Sequence, residues 1–206
     1  MIRAIFLDVD GTLISFSTHE IPASARRALT QAHERGVRLF IATGRAANDL
    51  GPLEGIPYDG VVSLNGARCV ANDGRVVSLH PIPRADFERA LALSEEQGFA
   101  MGLELEEGVF VNRVTPDVER VAHMVAHPVP EQTDLRELFG RVECCQLCFY
   151  FDAETQRRVM AELPTLAASR WCPIFADVNV AGIDKATGME EFMRSYGFSA
   201  AEVAAF

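Results

Sequence analysis

Residues 2–12 read IRAIFLDVDGT, and this stretch decides the fold. Its apolar run is short, nearly continuous and ends at Asp8, which is typical of a strand buried on both faces of a parallel sheet. Pro22 begins a helical pattern that ends at Gly36, because proline favours the first helical turn and glycine the position after the last one. The opening of the chain therefore predicts a strand followed by a helix.

Two further apolar strands follow, at residues 37–42 and 60–64. Polar residues come directly after each of them, Thr43-Gly44-Arg45 after the first and Asn65-Gly66 after the second. Alternation of strand and helix implies right-handed crossovers and an open α/β sheet. Ligands of such sheets lie outside the carboxyl ends of the strands, so these polar segments are candidate site residues.

The pattern changes after about residue 81 and returns to a helix at residue 185. Between them, a helix ended by Gly98, an antiparallel hairpin at Gly108, and helices at Thr115 and Asp152 indicate an α-β-β-α-β-α-β order. We interpret residues 82–181 as an α+β domain inserted into the first one. The predicted core consists of residues 1–81 and 182–206.

Composition excludes several classes of protein. The chain has 206 residues, 49% apolar and 23% charged, which excludes a disordered protein. Its net charge of −10 argues against nucleic-acid binding, which needs a basic face. Its sequence contains no apolar stretch long enough to span a membrane and no signal peptide. The odd, sparse set of five cysteines predicts reduced thiols and a cytoplasmic protein.

Asp8-Val9-Asp10-Gly11-Thr12 is the strongest chemical signal. Two carboxylates at the end of a buried strand favour a hard cation such as Mg²⁺. A carboxylate can also attack phosphorus, while a second one donates a proton to the leaving alcohol and later accepts one from water. The alternative is a solvated turn after a strand.

Thr43 and Lys185 strengthen the first of these interpretations. The Thr43 hydroxyl and the backbone N–H groups of Gly44 and Arg45 could hold phosphate oxygens, although the same residues also suit an ordinary cap. Lys185 is the only lysine among 19 basic residues, and it comes just before a predicted helix N-terminus, which attracts anions. A solvent-facing lysine is the alternative.

At these residues the sequence resembles the haloacid dehalogenase superfamily of phosphohydrolases, and most closely its Cof-type sugar-phosphatase branch. Four motifs in the same order carry the resemblance: Asp8-Val9-Asp10-Gly11-Thr12-Leu13, Ala42-Thr43-Gly44-Arg45, Asn65-Gly66-Ala67 and Gly182-Ile183-Asp184-Lys185. The resemblance implies a Rossmann-like core with a large inserted α+β cap that closes over the substrate.

The resemblance also implies roles for individual residues. Asp8 would be the nucleophile and a metal ligand, and Asp10 the general acid/base and a metal ligand through its carbonyl. Thr43, Lys185 and backbone N–H groups near Val9 and Gly44 would position the phosphoryl group. The implied activity is Mg²⁺-dependent hydrolysis of a small phosphorylated metabolite, a sugar phosphate, through an aspartyl-phosphate.

Two other functions stay open. A mutase or phosphotransferase would share Asp8 and Asp10, and a non-catalytic module could bind sugar phosphates without turnover. The family pattern continues with a Gly-Asp-Gly-x-Asn-Asp segment that supplies further metal ligands, whereas this sequence stops at Phe206. We therefore expect the C-terminal part of the core to be missing from this chain.

The remaining candidates are weaker. Arg45 and Asn65 flank the expected cleft and could contact substrate or cap a turn. His19 follows the first strand and could touch substrate, or could be a surface residue. Residues three apart on a strand face opposite sides and lie roughly 10 Å apart, so we interpret Cys145 and Cys148 as buried small side chains. We expect the acidic hairpin Glu104, Glu106 and Glu107 to face solvent.

Overall fold

The computed structural model describes residues 1–15, 18 and 20–206. Within them the strands are β1 (Ala4–Leu7), β2 (Arg38–Ala42), β3 (Gly60–Ser63), β4 (Arg68–Ala71), β5 (Val76–Leu79), β6 (Ala100–Leu105), β7 (Gly108–Val111), β8 (Glu131–Gln132), β9 (Gln146–Tyr150), β10 (Leu166–Cys172), β11 (Phe175–Val180) and β12 (Val203–Ala205). The α-helices are α1 (Ala23–Glu34), α2 (Arg84–Gln97), α3 (Pro116–Met124), α4 (Leu135–Phe139), α5 (Ala153–Ala161) and α6 (Lys185–Tyr196).

The chain divides into two compact units. The first consists of Met1–Leu79 and Ile183–Phe206, and the second of His80–Gly182. The chain passes from the first unit to the second and back again. The interpretation of the second unit as a substrate cap stays a prediction.

The first unit is built on a sheet with the strand order β12-β1-β2-β3-β4-β5. Strands β12, β1, β2 and β3 run parallel to one another, which confirms the predicted α/β fold. Strands β4 and β5 add an antiparallel edge that was not predicted. At the end of the chain, β12 pairs with β1.

The parallel strands are buried on both faces, as their continuous apolar runs predicted. On one face Leu39 joins a cluster that includes Leu29 of α1. On the other face Phe6 and Phe40 stack with ring centroids 4.9 Å apart, and Phe192 of α6 lies 4.7 Å from Phe40. Helices α1 and α6 therefore cover opposite faces of the sheet and fix the ends of its strands.

The second unit is built on a mainly antiparallel sheet with the order β10-β11-β9-β6-β7-β8. Helices α2, α4 and α5 contribute Phe87, Leu135 and Val159 to the core against one face, and α3 contributes Val118 to a separate cluster. The predicted helices and hairpin are confirmed, and Thr115 and Asp152 cap α3 and α5. Residues 170–180 consist of the end of β10 and all of β11, which a turn separates.

We also compared the helices with the requirements of a membrane span. In the described part of the chain, every helix is too short or too polar to cross a bilayer.

Candidate active site

A tight turn places Asp8 and Asp10 at the carboxyl end of β1. The strand ends at Leu7, and the chain then folds back on itself through hydrogen bonds from Leu13 N–H to the Asp8 carbonyl (3.3 Å) and from Ile14 N–H to the Val9 carbonyl (2.8 Å). Gly11 lies in this turn with a φ of 80°, a conformation that glycine adopts without strain. The turn holds both carboxylates beyond the strand end, as the motif predicted.

Lys185 contacts Asp8 directly, although the two residues are 177 positions apart in the sequence. The Lys185 Nζ donates to Asp8 Oδ1 at 2.8 Å, and the Val9 N–H donates to the same oxygen at 2.8 Å. Both side chains of the pair remain about one-third exposed. The pair therefore lies at the surface of the first unit, open to a small ligand.

Two glycines allow the start of α6 to approach β3 closely enough for this contact. A Cβ atom on Gly66 would lie 1.9 Å from the carbonyl oxygen of Asp184, which is the N-cap of α6. A Cβ atom on Gly188 would lie 2.4 Å from Val62 Cγ1 in β3. Lys185 is thus positioned by backbone packing that only residues without a side chain permit.

Asp10 forms a two-point ion pair with Arg45. The Arg45 Nε donates to Asp10 Oδ2 at 2.9 Å, and Nη2 donates to Oδ1 at 2.8 Å. This is the geometry in which arginine binds carboxylates most strongly. The hydrogen bond from Arg45 lowers the pKa of Asp10 against the opposing effect of burial, and the pKa of Arg45 is raised by the same contact. In this state Asp10 is a carboxylate.

Arg45 also reaches a third acidic residue that sequence reasoning missed. Its Nη1 donates to Asp49 Oδ2 at 3.2 Å and to the Asp49 carbonyl at 3.4 Å. The spacing of four residues is a signal that could have identified Asp49, since oppositely charged side chains at this spacing often pair. Arg45 was predicted to contact substrate, and that role stays a prediction.

Thr43, Gly44 and Asn65 meet beside this ion pair. Thr43 is fully buried, and its Oγ1 accepts a hydrogen bond from Arg45 N–H at 3.1 Å. The Asn65 N–H donates to the Thr43 carbonyl at 3.1 Å, and Asn65 Oδ1 lies 3.0 Å from where a Cβ on Gly44 would be. The structure therefore brings these predicted residues together. The Thr43 hydroxyl bonds within the turn after β2, and residues 43–50 contain no helix for it to cap. His19 lies outside the described residues.

A separate polar cluster lies in the second unit, on one face of its sheet. Gln146 Nε2 donates to Glu104 Oε2 at 2.6 Å and to Asp177 Oδ1 at 3.1 Å. The expectation that Glu104 faces solvent is wrong, because strand pairing sets it beside Gln146 on a half-buried face. Glu104, Cys148 and Asp177 offer ligand atoms within 4.8 Å of one another, and are the one such group among the described residues.

The interpretation of the cysteines as buried small side chains is confirmed. None of the five forms a disulfide, and all are buried. Burial raises the pKa of the Cys144 thiol to about 12 and that of Cys69 to about 11, so both are uncharged near neutral pH. Thiols of this kind are poor nucleophiles.

Comparisons with known proteins agree with the site geometry. Residues 5–206 match the model of haloacid dehalogenase-like hydrolases. The solved structure of BT1666 from Bacteroides thetaiotaomicron, described among phosphatases of this superfamily, is 53% identical over all of this chain and 76% of its own, with a TM-score of 0.95. The sugar phosphatase BT4131, of subclass IIB, is 31% identical over 99% of this chain and 80% of its own, with a TM-score of 0.87.

A further relative, among curated proteins, is also named as a phosphatase. The Bacillus subtilis protein named "Putative phosphatase YkrA" is 25% identical over 99% of this chain and 78% of its own length. The family match covers nearly the whole chain, and the motifs that define it converge at the end of β1. The chain belongs to the haloacid dehalogenase-like hydrolase family.

Proposed function

We propose that this phosphatase hydrolyses small phosphate monoesters, with sugar phosphates as its substrate class, through an aspartyl-phosphate on Asp8. The observation that carries the proposal is that the Lys185 Nζ and the Val9 N–H both donate hydrogen bonds to Asp8 Oδ1 at 2.8 Å. A carboxylate fixed through one oxygen presents the other to an incoming phosphorus atom. Such orientation is a large part of what an enzyme contributes to a displacement.

The reaction divides into two displacements at phosphorus. In the first, an Asp8 oxygen bonds to phosphorus, the ester bond to the leaving oxygen breaks, and Asp10 gives that oxygen a proton. In the second, water attacks phosphorus, Asp10 takes its proton, and the bond between Asp8 and phosphorus breaks to release inorganic phosphate. One carboxyl thus serves both steps as acid and then as base.

Lys185 and the surrounding N–H groups stabilise the transferring phosphoryl group. An ammonium has three N–H donors, so Lys185 can hold Asp8 and a phosphate oxygen together. It lies in the first turn of α6, where the helix dipole also favours an anion. The Thr43 hydroxyl accepts from Arg45 N–H and still carries its own O–H donor.

The pairing of Asp10 with Arg45 suits the second displacement directly. A lowered pKa keeps Asp10 ionised and ready to accept a proton from water. The first displacement needs a protonated Asp10, which the Arg45 contact opposes. We therefore infer that the negative charge of the bound phosphate ester offsets this effect of Arg45 on the pKa of Asp10 in the first displacement.

The donors at the end of β1 fit Mg²⁺. Three carboxylates, Asp8, Asp10 and Asp49, are connected to two cations, which gives one net negative charge before a phosphate dianion enters. The Asp8 carboxylate and the Asp10 carbonyl are hard oxygen donors, and Mg²⁺ is held by one or two carboxylates plus substrate phosphate. When bound there, Mg²⁺ would neutralise charge on the phosphoryl oxygens.

Two further observations bear on the substrate class and the compartment. BT4131, which is 31% identical, is described as a sugar phosphatase, and this favours sugar phosphates. Five cysteines without a disulfide are usual in reducing compartments, and this favours the cytoplasm.

The test is release of inorganic phosphate from a panel of hexose and pentose phosphates, with Mg²⁺, by the protein and by Asp8→Asn. Asp8→Asn should lose several orders of magnitude in kcat, since an amide cannot form the acyl phosphate. The matched control is Asp73→Asn in the β4–β5 turn, where the side chain accepts from Arg75 N–H as an asparagine also could. Turnover retained by Asp8→Asn would refute the nucleophile, and phosphoryl transfer to a second sugar would indicate a phosphotransferase.

A further inference from the structure

The Arg45 guanidinium is held from two sides. Its Nε and Nη2 bind Asp10, and its Nη1 binds the side chain and the carbonyl of Asp49. The proposed reaction uses Asp10 but gives no role to Asp49. Through these contacts Asp49 is linked to Asp10 by the Arg45 guanidinium.

We propose that Asp49 is a positioning residue that acts through Arg45 to aim the Asp10 carboxylate at the leaving oxygen. This inference rests on the proposed function, since it assumes that Asp10 is the proton donor and acceptor. It adds a residue that neither the motifs nor the comparisons assign. The side chains of Asp49, Arg45 and Asp10 form a line from the segment after β2 to the turn after β1.

The backbone that carries Arg45 is fixed, but its side chain is long. Arg45 N–H donates to Thr43 Oγ1 at 3.1 Å, and its carbonyl accepts from Leu64 N–H at 3.1 Å. A two-point contact with a carboxylate also requires the guanidinium plane to be fixed. A second acceptor on the opposite nitrogen supplies that constraint, and Asp49 is placed to be this acceptor.

Asp49 is itself anchored. Its N–H donates to the Ala46 carbonyl at 3.0 Å, and the next residue, Leu50, is buried in the core cluster of the first unit. The Asp49 side chain is 34% exposed and that of Arg45 26%. A surface ion pair of this kind adds little to stability, so a role in orientation is separable from a role in folding.

The experiment compares two classes of substrate in Asp49→Ala and Asp49→Asn, with Mg²⁺ present. Sugar phosphates release a poor leaving group and need a proton from Asp10, whereas p-nitrophenyl phosphate releases a good one and does not. For Asp49→Ala we expect kcat on a sugar phosphate to fall about ten- to a hundredfold, since a misaimed group costs up to about 10²-fold. KM on the sugar phosphate should change by less than about twofold, and so should kcat/KM on p-nitrophenyl phosphate, which reports only the first displacement and not the later use of Asp10 as a base.

Asp49→Asn should recover most of the lost kcat, because its amide oxygen still accepts from Arg45 Nη1. The matched control is Glu154→Ala in α5, which removes an exposed carboxylate bound to Arg158 at 3.2 Å with the same spacing of four residues. It should leave both substrates unaffected. If Asp49→Ala does not fold, Asp49→Asn and an Asp49→Ser variant, which offers only a short hydroxyl, give the same comparison.

An equal loss on both substrates, or no loss on either, would overturn the inference. Failure of the proposed function gives a different result, because Asp8→Asn would then retain turnover. If Asp8→Asn is inactive while the Asp49 variants match the unmodified protein, only the role of Asp49 is wrong.

Discussion

Substitution of Gly66 by alanine tests how the start of α6 is positioned. Gly66 has a φ of 97°, and a Cβ there would lie 1.9 Å from the Asp184 carbonyl oxygen. Gly74, in the β4–β5 turn, also has a positive φ of 85°, but a Cβ there would meet nothing within 4 Å. Gly66 and Gly74 therefore share a positive φ, but they differ in the contact that an added Cβ would make.

The expected magnitudes follow from that difference. An alanine in the left-handed region costs roughly 1–2 kcal/mol, and this applies to both sites. At Gly66 the contact must also open from 1.9 Å to the 3.4 Å of ordinary packing, and forced overpacking costs about 1–3 kcal/mol more. We expect Gly66→Ala to lower the free energy of unfolding by about 2–5 kcal/mol, and Gly74→Ala by about 1–2 kcal/mol.

Guanidinium unfolding followed by circular dichroism measures the free energy of unfolding of both variants. Hydrogen exchange in β1 and β3 then assigns the loss of stability to the first unit. Trp171 is the only tryptophan and lies in β10 of the second unit, so its fluorescence reports on that unit separately. Folded Gly66→Ala should also lose kcat, because movement of Asp184 displaces Lys185. Equal destabilisation by the two alanines would refute the close-packing argument.

Three further predictions follow from the ionic contacts of the first unit. Asp10→Asn should slow leaving-group departure, measured as kcat/KM, most for poor leaving groups, and an equal loss of kcat/KM across alcohols of all acidities would argue against acid catalysis. Lys185→Arg should lower kcat although the charge is kept, since a planar guanidinium replaces a compact ammonium. Unchanged kinetics would show that Lys185 has no role in the reaction. Hydrogen bonds from Ser199 and the contact with Arg3 lower the pKa of Glu202 to about 2 from its ordinary 4.5. A depressed pKa stabilises the folded state fully only above the pKa of the unfolded state. The unmodified protein should therefore be more stable than Glu202→Gln above pH 4.5, and this difference should vanish as the pH falls towards 2. A difference in stability that persists at low pH would contradict this.

The parallel core could be predicted because its signals are local. Each buried strand is a short apolar run, and each is followed by the polar residues that lie at its end in the structure. The β4–β5 hairpin was missed although Asp73-Gly74, a turn dipeptide, lies between its strands. The resemblance to the haloacid dehalogenase superfamily, drawn from ordered motifs, is confirmed by the family match.

The directions of long side chains could not be predicted. The motifs place Arg45 beside the site, but its contact with Asp10 in place of substrate depends on side-chain rotamers that spacing does not specify. Glu104 was misjudged for a related reason, because it meets Gln146, 42 positions away, and Gln146 in turn meets Asp177, a further 31 positions away. Pairing between strands that are distant in the sequence therefore determines that this face of the hairpin is half-buried and not exposed to solvent.

The most direct test of the central claim is chemical trapping of the phosphorylated enzyme. The protein is mixed with Mg²⁺ and a sugar phosphate, quenched in acid during turnover and treated with borohydride, which reduces an acyl phosphate to an alcohol. We predict that mass spectrometry of the peptide that holds both carboxylates will find homoserine at position 8 and aspartate at position 10. Aspartate at both positions, in an enzyme caught while it turns over, would contradict the account.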